Sequence, residues 1–520
     1  MNKPDIKYLF EPDSVAVIGV SQEPGKIGYK ILENMLSGGY QGKIYPVNPK
    51  GGKALGYDIL TSVEEVEGEV DVAVIAIPAR FVYDAVVSCA KKKVKMLAII
   101  SSGFSEIGNL EEEQRVLNYA HKHNMRVLGP NIFGHYSSKV SLNATFGPKD
   151  IRQGNVAIIT QSGALGIAMI GKTAVQNIGL SSIISVGNKT DINESDLLEY
   201  LIEQDETKII LMYVEGIQEG ERLVRILKKA TKVKPVIVIK SGRSKRGAVA
   251  AASHTGSLAG SDKVFDAIMR QCGVLRAESI QEALEWSKFL SHTSIPQGPN
   301  GIIITNGGGV GVMATDACEK YDIKLYDDQE KLKETFESVA HGFGSTKNPV
   351  DITGEASKAD YVKALKEALA DDDIHAVMAL YCETAMMNTQ ELTEMIDEMY
   401  GQFHEKGKPI TFSVFGGERT EEAITALHKH NVPVYRDVYD GVSCMGALQS
   451  IRRVQAVEEA VFVTADIDTA AIEKIIDSAL ADDRSFLLAE EGQGLLNAAQ
   501  LTGPRGGVVQ SVEAAVALAD

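Results

Sequence analysis

One imidazole stands among small side chains. Residues 247–262, GAVAAASHTGSLAGSD, carry His254 and little other bulk, which leaves a ring accessible at the tip of a loop. A loop so poor in charge and bulk reads as built to carry the ring into a site; a solvated loop histidine is the plainer reading. Glu215, in LMYVEGI, closes a nearly all-apolar strand and so projects at the carboxyl edge of a sheet, where ligands bind. There it could hold one imidazole N–H and leave the other nitrogen free, though a strand-end glutamate alone also reads as simply solvated.

Two further segments, VAIITQSGALG and IIITNGGGVGVMATDA, run from a strand into a helix through Ser162-Gly163-Ala164 and Gly308-Gly309-Val310-Gly311. Amides at such helix starts point at a phosphoryl group, while tight packing of helix on sheet accounts for the glycines equally well. Near the N-terminus, GVSQEPGKIG places Gly19, Ser21, Lys26 and Gly28 at a first strand–helix junction. It is not a GxGxxG, and it reads as a structural turn or as a phosphate cradle. The next strand ends in PVNPK, with Asn48-Pro49-Lys50 where an acid would hold a ribose hydroxyl. That counts against NAD and for a phosphorylated ribose. Ile77-Pro78 and Ser101-Ser102-Gly103 end two more strands, and either line the same crevice or merely cap them.

The elements that must carry these residues follow from periodicity. Short Val/Ile runs bounded by Gly, Pro or Asn alternate with helix-length amphipathic segments, the rhythm of parallel sheet. In the first block strands are expected at 14–19, 43–48, 70–78, 95–101 and 126–129, with a helix over 26–38; this predicts a Rossmann-type unit. In the second, strands at 155–161, 181–187, 208–216 and 235–242 precede a small-residue loop and a helix over 261–270, in a flavodoxin-like period. A Pro/Gly-rich linker over 291–301 leads to strands at 301–309, 375–382, 409–416 and 432–436. Beyond about 460, one helix over 469–481 stands out. The fold class is thus α/β, with three consecutive doubly wound parallel-sheet domains.

The chain has 520 residues, with 53 Lys+Arg against 70 Asp+Glu and a net charge of −17, which disfavours broad binding to nucleic acid or anionic membranes. The 5 cysteines show neither CxxC nor paired-His spacing, so no disulfide framework or zinc site is expected. No apolar run reaches a membrane span, and a cytoplasmic home is the expectation.

Taken together, GVSQEPGKIG, PVNPK, SSGF, GPN, QSGALG, GNKTD, YVEGI, SHTGSLAGSD, TNGGGVGV and NPVDITGEA resemble the landmarks, in order, of the ADP-forming (nucleoside-diphosphate-forming) acyl-CoA synthetases, relatives of succinyl-CoA ligase. The resemblance implies a CoA-binding domain over 1–150, a ligase domain with a phosphohistidine loop over 151–295, a second ligase domain over 296–460, and a linker with the start of an incomplete ATP-grasp module over 461–520. It further implies that His254 is transiently phosphorylated and steadied by Glu215. Ser162–Ala164 and Gly308–Gly311 would hold the phosphoryl group. Coenzyme A would lie along Gly19, Ser21, Lys26, Gly28, Asn48, Pro49, Lys50, Ile77, Pro78, Ser101, Ser102 and Asn131. ATP/ADP with Mg²⁺ would bind outside this chain, on a missing ATP-grasp portion or a separate subunit, and no metal ligand is assigned here.

The implied reaction joins a small carboxylic acid to CoA through a phosphohistidine and an acyl phosphate, with release of phosphate, in a homo-oligomer. Acetate is the default acid; 3-hydroxypropionate and 4-hydroxybutyrate are variants, and succinate is disfavoured because no arginine stands beside the motifs. Ile132 and His135 depart from the family pattern. A CoA-binding regulatory scaffold and, on the Rossmann period alone, an NAD(P)-dependent dehydrogenase are the alternatives.

Overall fold

Val- and Ile-rich runs form strands because branched side chains suit a pleated surface covered on both faces. The computed structural model describes residues 5–255, 261–340, 342–457, 467–501, 503 and 509–519. The chain divides into two units, Met1–Ala456 and Val457–Asp520.

The first unit holds three wound sheets. Strands β1 (Ser14–Ile18), β2 (Lys43–Val47), β5 (Val72–Ile75), β6 (Met96–Ile99) and β7 (Arg126–Leu128) form the first; a small ribbon, β3 (Lys53–Ala54) and β4 (Tyr57–Asp58), lies outside it. Its order is β2-β1-β5-β6-β7, all parallel. Strands β1, β5 and β6 are buried at every residue, and the helix Ile27–Gly38 sets Ile31, Leu32 and Met35 into the core.

The second sheet comprises β8 (Gly134–Ser137), β9 (Leu142–Thr145), β10 (Gln153–Thr160), β11 (Leu180–Ser185), β12 (Ile209–Val214), β13 (Val236–Lys240) and β14 (Leu275–Ala277). Its order is β14-β13-β12-β10-β11-β8-β9. The hairpin β8–β9, which precedes residue 150, therefore pairs antiparallel with β11 of the second sheet and does not extend the first. The third sheet is β16-β15-β17-β18-β19, from β15 (Gly301–Thr305), β16 (Val350–Asp351), β17 (Ala376–Cys382), β18 (Ile410–Phe415) and β19 (Val434–Tyr435). Counting only parallel strands, all three sheets run 2-1-3-4-5. In this order the chain leaves strands 1 and 3 in opposite directions, which opens a crevice at their carboxyl ends.

One expectation is corrected. Residues 247–262 were expected to form a loop, but their first nine continue the helix Lys245–Thr255, so the backbone of His254 lies in a helical last turn. Four alanines in KRGAVAAASHT explain this, because alanine is the strongest helix former and small size alone does not signal a loop. Residues 256–260 lie outside the described residues.

The second unit consists of helices Thr469–Ala481, Ala489–Ala498 and Val512–Ala519. Asp468 caps the first through Ala471 N–H, 3.0 Å. Among the described residues no helix is long and apolar enough to cross a membrane.

Candidate functional site

The switch point of the second sheet lies between β10 and β12, and Gln161 and Glu215 leave those two strands. Gln161 Oε1 accepts from Glu215 N–H (2.6 Å) and Gly216 N–H (3.0 Å), while its Nε2 donates to the Gly216 carbonyl (2.8 Å) and to Glu194. Lys189 Nζ donates to Glu194 Oε1 (3.0 Å) and the Gly216 carbonyl (2.7 Å), and both ends of this ion pair are buried. Lys240 Nζ donates to the Glu215 carbonyl, 2.8 Å, and to the Ser241 carbonyl. Burial holds its ammonium below the usual lysine range. The Tyr213 hydroxyl reaches Glu215 Oε1 at 3.3 Å. Glu215 is therefore no solvated strand end: the residue is 7% exposed, and its backbone is held by Gln161 at the N–H and by Lys240 at the carbonyl.

Beside it, Ser162 caps the helix Gly163–Val175 by accepting from Leu165 N–H at 3.4 Å. A Cβ added to Gly163 would meet nothing within 4 Å, so that helix start is open to a ligand. The third sheet repeats the arrangement. The helix Gly308–Lys320 begins after Asn306-Gly307, Gly309 is similarly open, and a Cβ on Gly308 would lie 3.2 Å from Asp351 Oδ2. Gly311 has a packing reason instead: its Cβ would press on Thr305 and Pro349 at 3.2–3.4 Å.

The first sheet gathers its predicted residues along one edge. Gly19 has φ +105°, and a Cβ there would lie 2.3 Å from the Ala76 carbonyl oxygen; one on Gly28 would lie 2.2 Å from the Gly19 carbonyl oxygen. Gly19 is thus required by the close approach of the β1 and β5 exits, and Gly28 by that of the helix start to the β1 exit. Asn48 Nδ2 donates to the Val20 carbonyl at 2.8 Å, and its Oδ1 accepts from Lys50 N–H at 3.0 Å. Pro49 and Lys50 are exposed beside it, as are Lys26, Pro78 and Ser102. Ser21 accepts from Glu23 N–H at 3.0 Å. Ser101 Oγ donates to the Ile77 carbonyl, and Asn131 N–H to the Ser101 carbonyl at 2.9 Å. These contacts step along the edge from β2 to β7, past the β1/β5 switch point.

The two edges are joined. Asn188 N–H donates to the Pro130 carbonyl (3.0 Å) and Asn131 Nδ2 to Asn188 Oδ1 (3.3 Å). Asn188 Nδ2 donates in turn to Glu106 (2.7 Å) and Glu113 (2.8 Å). Burial raises the Glu106 carboxyl pKa, but the Gly103 N–H and Asn188 bonds outweigh it and bring the group below its ordinary range. A Cβ on Gly187 would lie 2.1 Å from the Pro130 carbonyl oxygen, so the 129–131 and 187–189 loops touch backbone to backbone. His135, one of the departures from the family pattern, is a buried β8 residue in register with Ile184 and Ala144.

Sequence reasoning passed over Gln161, Lys189, Glu194 and Lys240 as functional residues. Their signal was faint: each shows its partner only once segments distant in the chain are brought together. Among the described residues no group of three or more His, Cys, Asp or Glu side chains is placed to hold a metal ion.

The chain matches three family models: a CoA binding domain over 13–135, a succinyl-CoA ligase like flavodoxin domain over 153–290, and a ligase-CoA domain over 301–457. It is 49% identical over 449 residues to the acetate–CoA ligase [ADP-forming] I subunit alpha of Pyrococcus furiosus, an alignment covering 85% of this chain and 97% of that protein. It is 32% identical over 514 residues to the 4-hydroxybutyrate–CoA ligase [ADP-forming] of Nitrosopumilus maritimus, covering 98% and 73%. Among solved structures it is similar to acetyl-coenzyme A synthetase 1 of Candidatus Korarchaeum cryptofilum in complex with phosphate and ADP. That pair has a TM-score of 0.83 and 42% identity, covering 87% of this chain and 98% of that one.

Proposed function

The chain belongs to the family of ADP-forming acyl-CoA synthetases, and we propose that within it this protein is the subunit that carries the phosphoryl group on His254 and hands it to a small carboxylic acid bound beside CoA. The observation that carries this reading is the second switch point, where the Glu215 strand end is bracketed against the Ser162-capped helix. ATP and CoA enter as co-substrates, and an ATP-grasp partner or further segment supplies the nucleotide site; the subunit alpha name of the Pyrococcus relative supports this division.

In the reaction read here, the bare His254 ring nitrogen attacks the γ-phosphorus of ATP: an N–P bond forms, the P–O bond to ADP breaks, and the ring keeps the N–H on its other nitrogen, so that later cleavage of the N–P bond returns neutral imidazole. The acid's carboxylate oxygen then takes the phosphoryl group, restoring the imidazole and giving an acyl phosphate. The CoA sulfur attacks the acyl carbon, a C–S bond forms, and inorganic phosphate leaves with the thiol proton. Glu215 holds one imidazole N–H in this scheme. The amides of Gly163, Ala164 and Gly308–Gly311 offset charge on the moving phosphoryl group. CoA lies at the first sheet's carboxyl edge over Gly19–Gly28, Asn48–Lys50, Ile77-Pro78, Ser101-Ser102 and Asn131. The three family matches support a division near 150, 295 and 460, with 461–520 leading toward the nucleotide module.

Acetate is the first candidate acid and 4-hydroxybutyrate the second, each named in a relative. We place the protein in the cytoplasm as a homo-oligomer, and a monomer mass by light scattering would refute the assembly.

The test is intact-protein mass after incubation with acetyl phosphate, with and without CoA, which bypasses the nucleotide. A gain of about 80 Da, one phosphoryl group, absent in His254→Ala, is the expected result. Labelling that persists in His254→Ala would refute the assignment, and a panel of acyl phosphates ranks the acids.

A further inference from the structure

The second and third sheets share a device at their switch points, of which the scheme above draws on only one half. Each first strand ends in a buried threonine followed by a carboxamide, Thr160-Gln161 and Thr305-Asn306. Thr160 Oγ1 accepts from Ser162 N–H (3.2 Å) and donates to the Ser162 carbonyl (3.0 Å). Thr305 Oγ1 does the same with Gly307, at 3.0 and 3.1 Å. The carboxamide then reaches across the switch point. Gln161 brackets the Glu215-Gly216 backbone as described, and Asn306 Oδ1 accepts from Cys382 N–H (2.8 Å) while its Nδ2 donates to the Cys382 carbonyl (2.9 Å). Five residues after each carboxamide, Gly166 and Gly311 let the helix close onto the threonine methyl, since an added Cβ would lie 2.8 and 3.2 Å from it.

A strand end at a switch point lacks a lateral partner in the crevice, because neighbouring chains diverge there. A carboxamide has one acceptor and two donors, so it can replace both missing ladder bonds of the facing strand. Gln161 has one methylene more than Asn306, and with it spans two backbone N–H groups and still reaches Glu194. We propose that Gln161 and Asn306 are paired positioning residues, each locking the strand end across its sheet's switch point against the helix start that follows it. Gln161 thereby fixes the spacing between Glu215 and the Gly163–Ala164 amides. Asn306 fixes the spacing between Cys382 and the Gly308–Gly311 turn. Neither contacts the phosphoryl group. This inference rests on the phosphohistidine reading for its catalytic consequence and on the hydrogen bonds alone for its structural one.

The test compares Gln161→Ala, Gln161→Glu, Asn306→Ala and Asn306→Asp with the wild type in two assays, backed by melting curves. The first assay is the rate of phosphoryl gain from acetyl phosphate, in which the P–O bond breaks, the N–P bond forms and acetate leaves. Both alanine variants should gain label about tenfold to a hundredfold more slowly, the effect of misplacing a reacting group by about 1 Å, with CoA affinity unchanged. Gln161→Glu keeps the acceptor but sets a second carboxylate against the Gly216 carbonyl and Glu194, where the single Lys189 ammonium already serves both. Its rate relative to wild type should therefore rise as pH falls and its carboxyl regains a proton, a signature that a merely structural role would not give. Should Gln161→Ala fail to fold, Gln161→Glu and Asn306→Asp carry the comparison. The second assay is amide hydrogen exchange at Glu215, Gly216 and Cys382, which should quicken about tenfold on loss of the bracketing bonds. Wild-type exchange in the alanine variants overturns the proposal whether or not any phosphoryl group is taken up. Wild-type labelling rates with quickened exchange overturn its catalytic part. A wild-type protein that gains no label at all overturns the phosphohistidine reading instead, and exchange then decides the bracket alone.

Discussion

Gly28→Ala isolates the close approach on which the first crevice depends. A Cβ at this position would lie 2.2 Å from the Gly19 carbonyl oxygen, 2.7 Å from its carbon and 3.0 Å from the Val20 Cα. Both neighbours are backbone, so no side chain can swing aside, and the helix Ile27–Gly38 must move by about 1 Å to restore contact distance. That helix is anchored by Ile31, Leu32 and Met35, all 0% exposed, so the displacement strains a packed core at a cost of about 1–3 kcal/mol. In a domain of this size that lowers the melting temperature by roughly 2–12 °C. The same shift draws helix-start amides away from the crevice, and losing one charge-assisted bond, about 1.5–3 kcal/mol, weakens CoA binding roughly tenfold to a hundredfold. Calorimetric titration with CoA and differential scanning calorimetry read the two effects on one preparation. Gly401→Ala is the control of opposite sign, because that glycine lies within the helix Thr389–Glu405 with nothing within 4 Å of an added Cβ; it should stabilise by about 0.5–1 kcal/mol. A Gly28→Ala protein that melts and binds CoA like the wild type would refute both the clash and the placement of CoA.

Lys189→Met leaves the buried Glu194 carboxylate without its ammonium and should destabilise by roughly 3–5 kcal/mol in urea titration, far more than an exposed lysine would; a change under about 1 kcal/mol would refute the reading that Glu194 depends on this ion pair. His135 is 1% exposed, and burial pushes its imidazole down to about 4. Its folded form therefore binds fewer protons than the unfolded chain between that value and the ordinary one near 6.5, so its contribution is complete above about 6.5 and lost as pH falls toward 4. That loss is about 3 kcal/mol, and His135→Leu should flatten the slope of stability against pH over this window. A slope unchanged by the substitution would assign acid sensitivity elsewhere. Arg243 pairs with Glu278 at the surface, and Arg243→Ala should change stability by less than about 1 kcal/mol, which a melt resolves from the Lys189→Met effect.

Most of the parallel strands were readable from residue type, because a strand covered on both faces is dominated by apolar residues; β1, β5, β12 and β17 are such runs. The two helix starts were readable too, the one through Ser162, which caps it locally, and the other through the glycines that open it. The placement of Glu215 at a strand end also followed from the apolar run before it. Three things did not follow. The hairpin β8–β9 joins the second sheet rather than the first because an edge strand is chosen by which neighbour offers free N–H and C=O groups, and that is a property of the folded sheet. The helix through His254 was hidden because alanine-rich segments suit a helix and a small-residue loop alike, and what packs around them decides. The carboxamide brackets of Gln161 and Asn306 lay within recognised motifs, yet their partners are 54 and 76 residues away. Local composition specifies which segments become strands and helices, since the apolar period and the caps act within a few residues. Which strand end faces which side chain is decided by register between distant segments, and only the tertiary structure sets that.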